Sequence, residues 1–201
     1  MWYRNFLATV SIALVAMLGD LAVTLSFLSV NVRSVVDNLT HGLIGVCTWL
    51  TVTTQVPNIP ISTRLWEIGL CGFFASAIDL DHFASAKSFW LQDARNLSSR
   101  PFLHCTSIPV ALITSIYLLA YIWHWSSVQR LLWILLAAIL SHHIRDATRR
   151  GFWIFPFGST PPLPYSLYIV ANMALPHVIK ALIWYTGNSG KTISLSEVIS
   201  L

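Results

Sequence analysis

Long apolar stretches separated by short polar breaks run the length of the chain, and the stretches predict its architecture. A helix needs about 20 mostly apolar residues to cross a bilayer. Six stretches approach that length, at residues 6–30, 36–56, 65–84, 104–124, 129–148 and 164–186. Breaks fall at Pro57 and Pro60, along the polar run from Lys87 to Pro101, at Ser126-Ser127, and in the proline-rich run from Pro156 to Pro164. The pattern predicts an all-α polytopic membrane helix bundle of about six transmembrane helices. The second and third stretches are the most polar, and without one of them the count is five. Residues 1–186 then form a single transmembrane helical domain, and 187–201 a flexible polar tail. The first stretch runs on through Asp20 with no Ala-x-Ala-type site behind a short core, so it reads as a retained helix.

Composition strengthens this picture. Of 201 residues, 55% are hydrophobic and 10% charged, against about 25% charged in soluble domains. Nine Trp and six Tyr suit a chain with two membrane interfaces. A formal charge of +4 implies loops that meet anionic headgroups and is too small to argue for nucleic acid. The lipid bilayer is the partner this implies; no protein partner is legible. Cys47, Cys71 and Cys105 have no zinc-ligand spacing and read as packing residues, Cys105 beside His104 being the one with a claim as a soft ligand.

Charge also bears on sidedness. Six crossings put Arg33, Lys87, Arg95, Arg100, Arg145, Arg149 and Arg150 on the odd-numbered loops, against Arg4, Arg64, Arg130 and Lys191 opposite. The positive-inside rule then places the odd loops in the cytoplasm. The sequons at Asn38 and Asn96 lie on that same face and need a lumenal location to be used.

The candidate chemistry sits at the ends of the stretches. His41 opens the second; Asp79, Asp81 and His82 close the third; His104 opens the fourth; His142, His143 and Asp146 close the fifth. All are therefore within about two turns of one membrane face. His142 and Asp146 are four apart and share a helix face, as do Asp79 and His82, three apart, with Asp81 turned aside to bridge or support. Imidazole and carboxylate together suit a divalent metal, zinc above all, with iron or manganese as alternatives. Seven such groups are enough for a pair of ions. Taken singly, each cluster has a plain reading as a helix cap, an interfacial polar residue, or, for Asp146, a salt-bridge partner of Arg145, Arg149 or Arg150. Their convergence on one face is what favours a site, because ionisable residues at membrane depth are rare.

Three other groups fall outside it. Asp20 lies about ten residues, or about 15 Å, from the site end of its helix and reads as a hydrogen-bonding group inside the bundle. His124, between Trp123 and Trp125, reads as an anchor at the opposite interface. His177 follows Pro176 in mid-stretch, where it can serve backbone freed by the proline.

Thr40-His41, Ile78-Asp79-Leu80-Asp81-His82, and Ser141-His142 through Asp146 with Thr148, Gly151 and Pro156-Phe157 behind it, resemble the motifs of the YdjM-type family of membrane-bound metal-dependent hydrolases. The likeness runs in order from residue 40 to 157. Ile78 replaces the family's proline, and the spacing from Asp146 to Thr148 is one residue short. In the third motif, Ser99-Arg100 through His104-Cys105 keeps the Arg and the second His and lacks the first His. The resemblance implies a metal-dependent hydrolase. The family is in turn similar to zinc-dependent phospholipase C enzymes, which implies a phosphoester or lipid substrate.

In that reading a metal on some of His41, Asp79, Asp81, His82, His104, His142 and Asp146 activates water. His143 or a non-ligating carboxylate is the general base, and Arg100, Arg149 and Arg150 hold a phosphate. The alternative is a non-catalytic polytopic scaffold or assembly protein whose metal site is structural or vestigial, which the lost His favours. A transporter is a third reading, and a weaker one, since transporters place ionisable groups at the bilayer midplane and only Asp20 is deep.

Overall fold

The computed structural model describes residues 2–56 and 59–188. Each apolar stretch becomes a helix: α1 Trp2–Thr24, α2 Val30–Thr54, α3 Ile61–Ala77, α6 Ser107–Ile122, α7 Ser126–Arg150 and α8 Tyr165–Asn188. The fold is all-α, as expected. The long polar break between the third and fourth stretches holds α4 Leu80–Ala86, α5 Leu91–Arg95 and a 3₁₀ turn Phe102–His104. The break after α7 forms a small hairpin, β1 Trp153–Ile154 against β2 Gly158–Ser159.

Boundaries moved at three places. The first helix stops at Thr24, six residues before its predicted end, and α2 starts at Val30 with the Ser29 hydroxyl accepting from the Val32 amide at 3.3 Å. The third stretch is not one helix to 84: α3 ends at Ala77 and α4 restarts at Leu80. The fourth begins at Ser107, so His104 belongs to the turn before it. Pro57 and the tail beyond Asn188 lie outside the described residues, while Gly187 and Asn188, predicted as the start of that tail, continue α8.

Among the described residues three helices are long and apolar enough to cross a membrane: Tyr3–Thr24, Ser126–Arg150 and Tyr165–Gly187. α2 is long enough but too polar, and α3 and α6 fall short in length. The polarity of α2 is turned inward, since Thr40, His41, Thr48, Thr51 and Thr53 are all buried. Half of the most apolar stretch of α7 is buried, against 17% for α1 and 28% for α8, so α7 is the most enclosed of the three. Ile12 and Ala16 of α1, Ile44 of α2, Ala75 of α3, Ala137 and Ala138 of α7 and Tyr168 of α8 share one core. Outward faces carry large apolar side chains such as Leu14, Leu18, Phe73, Leu118 and Val170, which lipid accommodates.

Two backbone features position the site. α2 and α3 pack on small residues: a Cβ on Gly45 would sit 2.7 Å from the Ala75 Cβ, and one on Gly72 would sit 3.0 Å from the Gly42 carbonyl. Small contacts of this kind let membrane helices approach closely, and here they bring the start of α2 beside the end of α3. At the end of α7, Gly151 has φ +68°, and a Cβ there would lie 1.9 Å from the Thr160 carbonyl. Only glycine turns the chain into the hairpin at that point.

Candidate metal centre

The first-motif residue His41, on α2, is 1% exposed and stacks on His142 of α7 with ring centroids 3.8 Å apart. His142 is fully buried, and its Nδ1 lies 2.8 Å from the Ala75 carbonyl of α3. A carbonyl can only accept, so Nδ1 carries a proton and Nε2 is the nitrogen turned to the cluster. That Nε2 lies 3.3 Å from Asp146 Oδ2, 3.7 Å from Asp79 Oδ1 and 3.4 Å from His104 Nε2. His41 Nε2 reaches Asp146 Oδ1 at 3.4 Å.

His104 arrives from the 3₁₀ turn. Its Nδ1 is 3.3 Å from both carboxylate oxygens of Asp81, which turns Nε2 toward Asp79 Oδ1 at 3.4 Å and Asp146 Oδ2 at 3.2 Å. Asp81 also accepts the Leu103 amide at 2.7 Å, pinning the turn. Burial disfavours a charged His104, but hydrogen bonds to Asp146, Asp79 and Asp81 outweigh it and raise its pKa to about 11. Asp81 is lowered against its own burial by His104, His82 and the Leu103 amide. These are the signs of a centre with more negative charge than its neutral imidazoles can balance.

His82 completes the group from α4, with Nδ1 3.2 Å from Asp81 Oδ1 and 3.8 Å from Asp79 Oδ1. Three overlapping sets have ligand atoms mutually within 4.8 Å: His41, Asp79 and His142; Asp79, His82 and His104; His104, His142 and Asp146. Asp81 belongs to none of them and stands behind His82 and His104. His41 Nδ1 is buried without a hydrogen bond, while Asp81 Oδ1 is shared by His82 Nδ1 at 3.2 Å and His104 Nδ1 at 3.3 Å. Carboxylate–imidazole pairs with the imidazole's far nitrogen aimed at a common point are how proteins orient metal ligands. The residues present therefore fit a divalent ion.

The remaining predicted residues are placed differently. His143 is 3% exposed, beside the cluster, with Nε2 2.9 Å from the Leu103 carbonyl and Nδ1 without a partner. Arg149 makes a two-pronged contact to Asp37 at 2.8 and 2.5 Å. Arg100 donates to the Ser159 hydroxyl and the Gly151 carbonyl, each at 3.0 Å, and Arg150 lies exposed on the last turn of α7. Among the described residues Asp146 is ion-paired with His41, His104 and His142; it is Arg145 that forms salt bridges to Asp20 and Asp37, at 2.9 and 2.7 Å. Asp20 is thus hydrogen-bonded inside the bundle as expected. It is nearer the site than helix counting placed it, because α1 ends only four residues later. Cys105 turns to the Trp153 carbonyl and Ser107, away from the ligand cluster. His177 meets the Thr9 hydroxyl at 3.0 Å rather than freed backbone.

Two neighbours escaped sequence reading. Asn38 donates to Asp79 Oδ2 at 2.9 Å and to the Ser76 carbonyl at 2.8 Å, and accepts from the Ser76 hydroxyl. In the sequence it registers only as a sequon, yet its spacing of three from His41 puts both on one face of α2. Asp37 has no signal beyond its charge.

Residues 36–201, which include every residue of this cluster, match the model of the YdjM inner membrane protein family. The chain belongs to that family. Transmembrane protein 267 of Mus musculus is 45% identical over 157 residues, 77% of this chain and 71% of its own length. The Danio rerio protein of the same name is 36% identical over 189 residues, 91% and 82% of the two chains. No solved structure matches. The YdjM match begins at the second helix, so Asp20 and the rest of α1 lie outside it.

Proposed function

We propose that this membrane protein is a metal-dependent hydrolase whose centre lies at one interface and acts on a phosphoester or lipid-like substrate. The observation that carries the reading is the convergence of the His104 and His142 Nε2 atoms, each ring held through its Nδ1, on the oxygens of Asp79 and Asp146. His41, Asp79, His82, His104, His142 and Asp146 would hold the ion or ions, with Asp81 orienting His82 and His104. Zinc suits this donor set best. A divalent ion supplies Lewis acidity and an acidified water when bound. His143, donating through Nε2 to Leu103, keeps Nδ1 as the proton acceptor. Arg100 and Arg150 take the phosphate, Arg149 being held by Asp37. The reading carries six crossings, with α2, α3 and α6 spanning beside the three apolar helices, and odd loops in the cytoplasm.

A specific observation favours a second reading, in which the ion only staples the helices: Ser99 stands where the family's third motif has its first His. One experiment separates them. Purified protein is expected to hold stoichiometric zinc, iron or manganese, lost in Asp79→Ala and His142→Ala, and to hydrolyse members of a phosphoester and phospholipid panel in a metal-dependent way. No metal in the wild-type protein sinks both readings. Metal without turnover leaves the staple.

A further inference from the structure

Exposed aromatic side chains gather on the loops around the centre, outside every membrane-length helix. Phe89 is 98% exposed and Trp90 78%, between α4 and α5; Phe155 and Phe157 are 58% and 88% exposed at the hairpin tip. These segments adjoin the ligands, one following His82 and the other following Asp146 in sequence.

The display is built rather than loose. The Ser88 hydroxyl accepts the Trp90 amide at 3.1 Å and donates to Asp93 at 2.6 Å. The Trp90 carbonyl starts α5, which is anchored by buried Ala94. In the hairpin, the Phe157 amide donates to the Ile154 carbonyl at 2.7 Å, and Ser107 accepts the Phe155 amide at 2.9 Å. Arg100 holds Ser159 from the side. Hydrogen bonds therefore fix the backbone in a form that pushes four rings outward, where water would leave them costly.

Basic residues interleave with the rings. Lys87 and Arg95, with Asp93 held by Ser88 between them, flank Phe89 and Trp90, and Arg150 precedes the hairpin beside Arg149, which is paired with Asp37. Aromatic rings with cations beside them are the signature of a surface lying in the headgroup region of an anionic leaflet. A second copy of the chain is a poorer occupant, because a symmetric contact would set this basic face against itself.

We propose that Phe89, Trp90, Phe155 and Phe157 form a rim seated in the leaflet, so that the centre opens at the boundary between headgroups and acyl chains. An amphiphile then reaches it sideways, without leaving the bilayer. This rests on the interfacial position of the centre in the reading above, and not on bound metal.

Spin labels on Phe89→Cys and Phe157→Cys, with Asn96→Cys in the same polar loop as reference, test it in vesicles of phosphatidylcholine and phosphatidylserine. The native cysteines are buried, and protein without an introduced cysteine measures their background labelling. Accessibility to oxygen relative to a water-soluble nickel chelate is expected to be several-fold higher at 89 and 157 than at 96. Equal, nickel-dominated accessibility at all three positions overturns the proposal. So does dipolar broadening between labels on neighbouring copies, which would make the rim a self-contact. Metal content is measured on the same samples: oxygen-rich labels on metal-free protein keep the rim and sink both metal readings of the centre.

Discussion

The last two turns of α7 carry two polar stripes, and the protein treats them in opposite ways. Arg145 and Arg149, four apart, face carboxylates from other elements: Arg145 meets Asp20 and Asp37, and Arg149 meets Asp37. His142 and Asp146, also four apart, face His41, Asp79 and His104. The first stripe is closed, with cations set against anions and the Arg145 side chain 2% exposed. The second is open in charge, with carboxylates meeting imidazoles in place of guanidinium groups, and the buried Nδ1 of His41 without a hydrogen bond. Matched charges make a clamp between helices; mismatched charges around a common point make a place for a cation. A second charge-matched contact lies elsewhere, where Glu67 of α3 takes both Arg130 of α7 and the Trp49 indole of α2.

The difference predicts that mutations in the two stripes give different signatures. Arg145→Ala should have the largest effect on stability, about 3–5 kcal/mol, because it removes a buried guanidinium, takes the arginine from Asp20 and leaves Asp37 to Arg149 alone. Unfolding followed in detergent should show the loss, while metal per folded protein stays at the wild-type level. Metal lost without destabilisation would erase the distinction between the stripes. Asp81→Asn should do the reverse. It keeps the shape of the side chain but weakens its hold on His82 and His104, and metal affinity should fall about 10–100-fold, read by competition with a chelator. An unchanged affinity would remove Asp81 from behind the ligands.

Asn38→Ala should cost about 1.5–3 kcal/mol, the worth of hydrogen bonds to a charged group, through the lost contact to Asp79. It sharpens the comparison by testing whether support of a ligand shows up as stability, as metal affinity, or as both, on the same two assays. Arg149→Ala should matter least. The side chain is half exposed, and exposed ion pairs are worth about 0–1 kcal/mol. A larger loss of stability would mean the outer arginine belongs to the clamp, while a loss of turnover with unchanged stability would return it to the phosphate.

Much of the arrangement was legible. His41, Asp79, His82, His104, His142 and Asp146 stand out because ionisable residues are scarce in so apolar a chain, and counting crossings puts them at one end. The structure brings these six together. Arg149 shows the limit. Its basic charge near a site suggested a phosphate, yet Asp37, over a hundred residues away, holds it. Asp20 shows another, since its depth depends on where α1 stops, and a loop at Leu25–Ser29 replaced a turn of predicted helix. The Ala75 carbonyl that sets the His142 tautomer carries no sequence signal, because every residue has one.

Sequence alone determined the six apolar stretches that become helices and the polar clusters at their ends. Both follow from local hydropathy and the rise of a helix, quantities that sum along the chain. Only the tertiary structure decided which face of α7 meets carboxylates and which meets imidazoles, and which nitrogen of His142 turns to the cluster. Those depend on the rotation and closeness of packed helices, set by contacts such as Gly45 against Ala75 and Gly72 against Gly42, between residues distant in the chain.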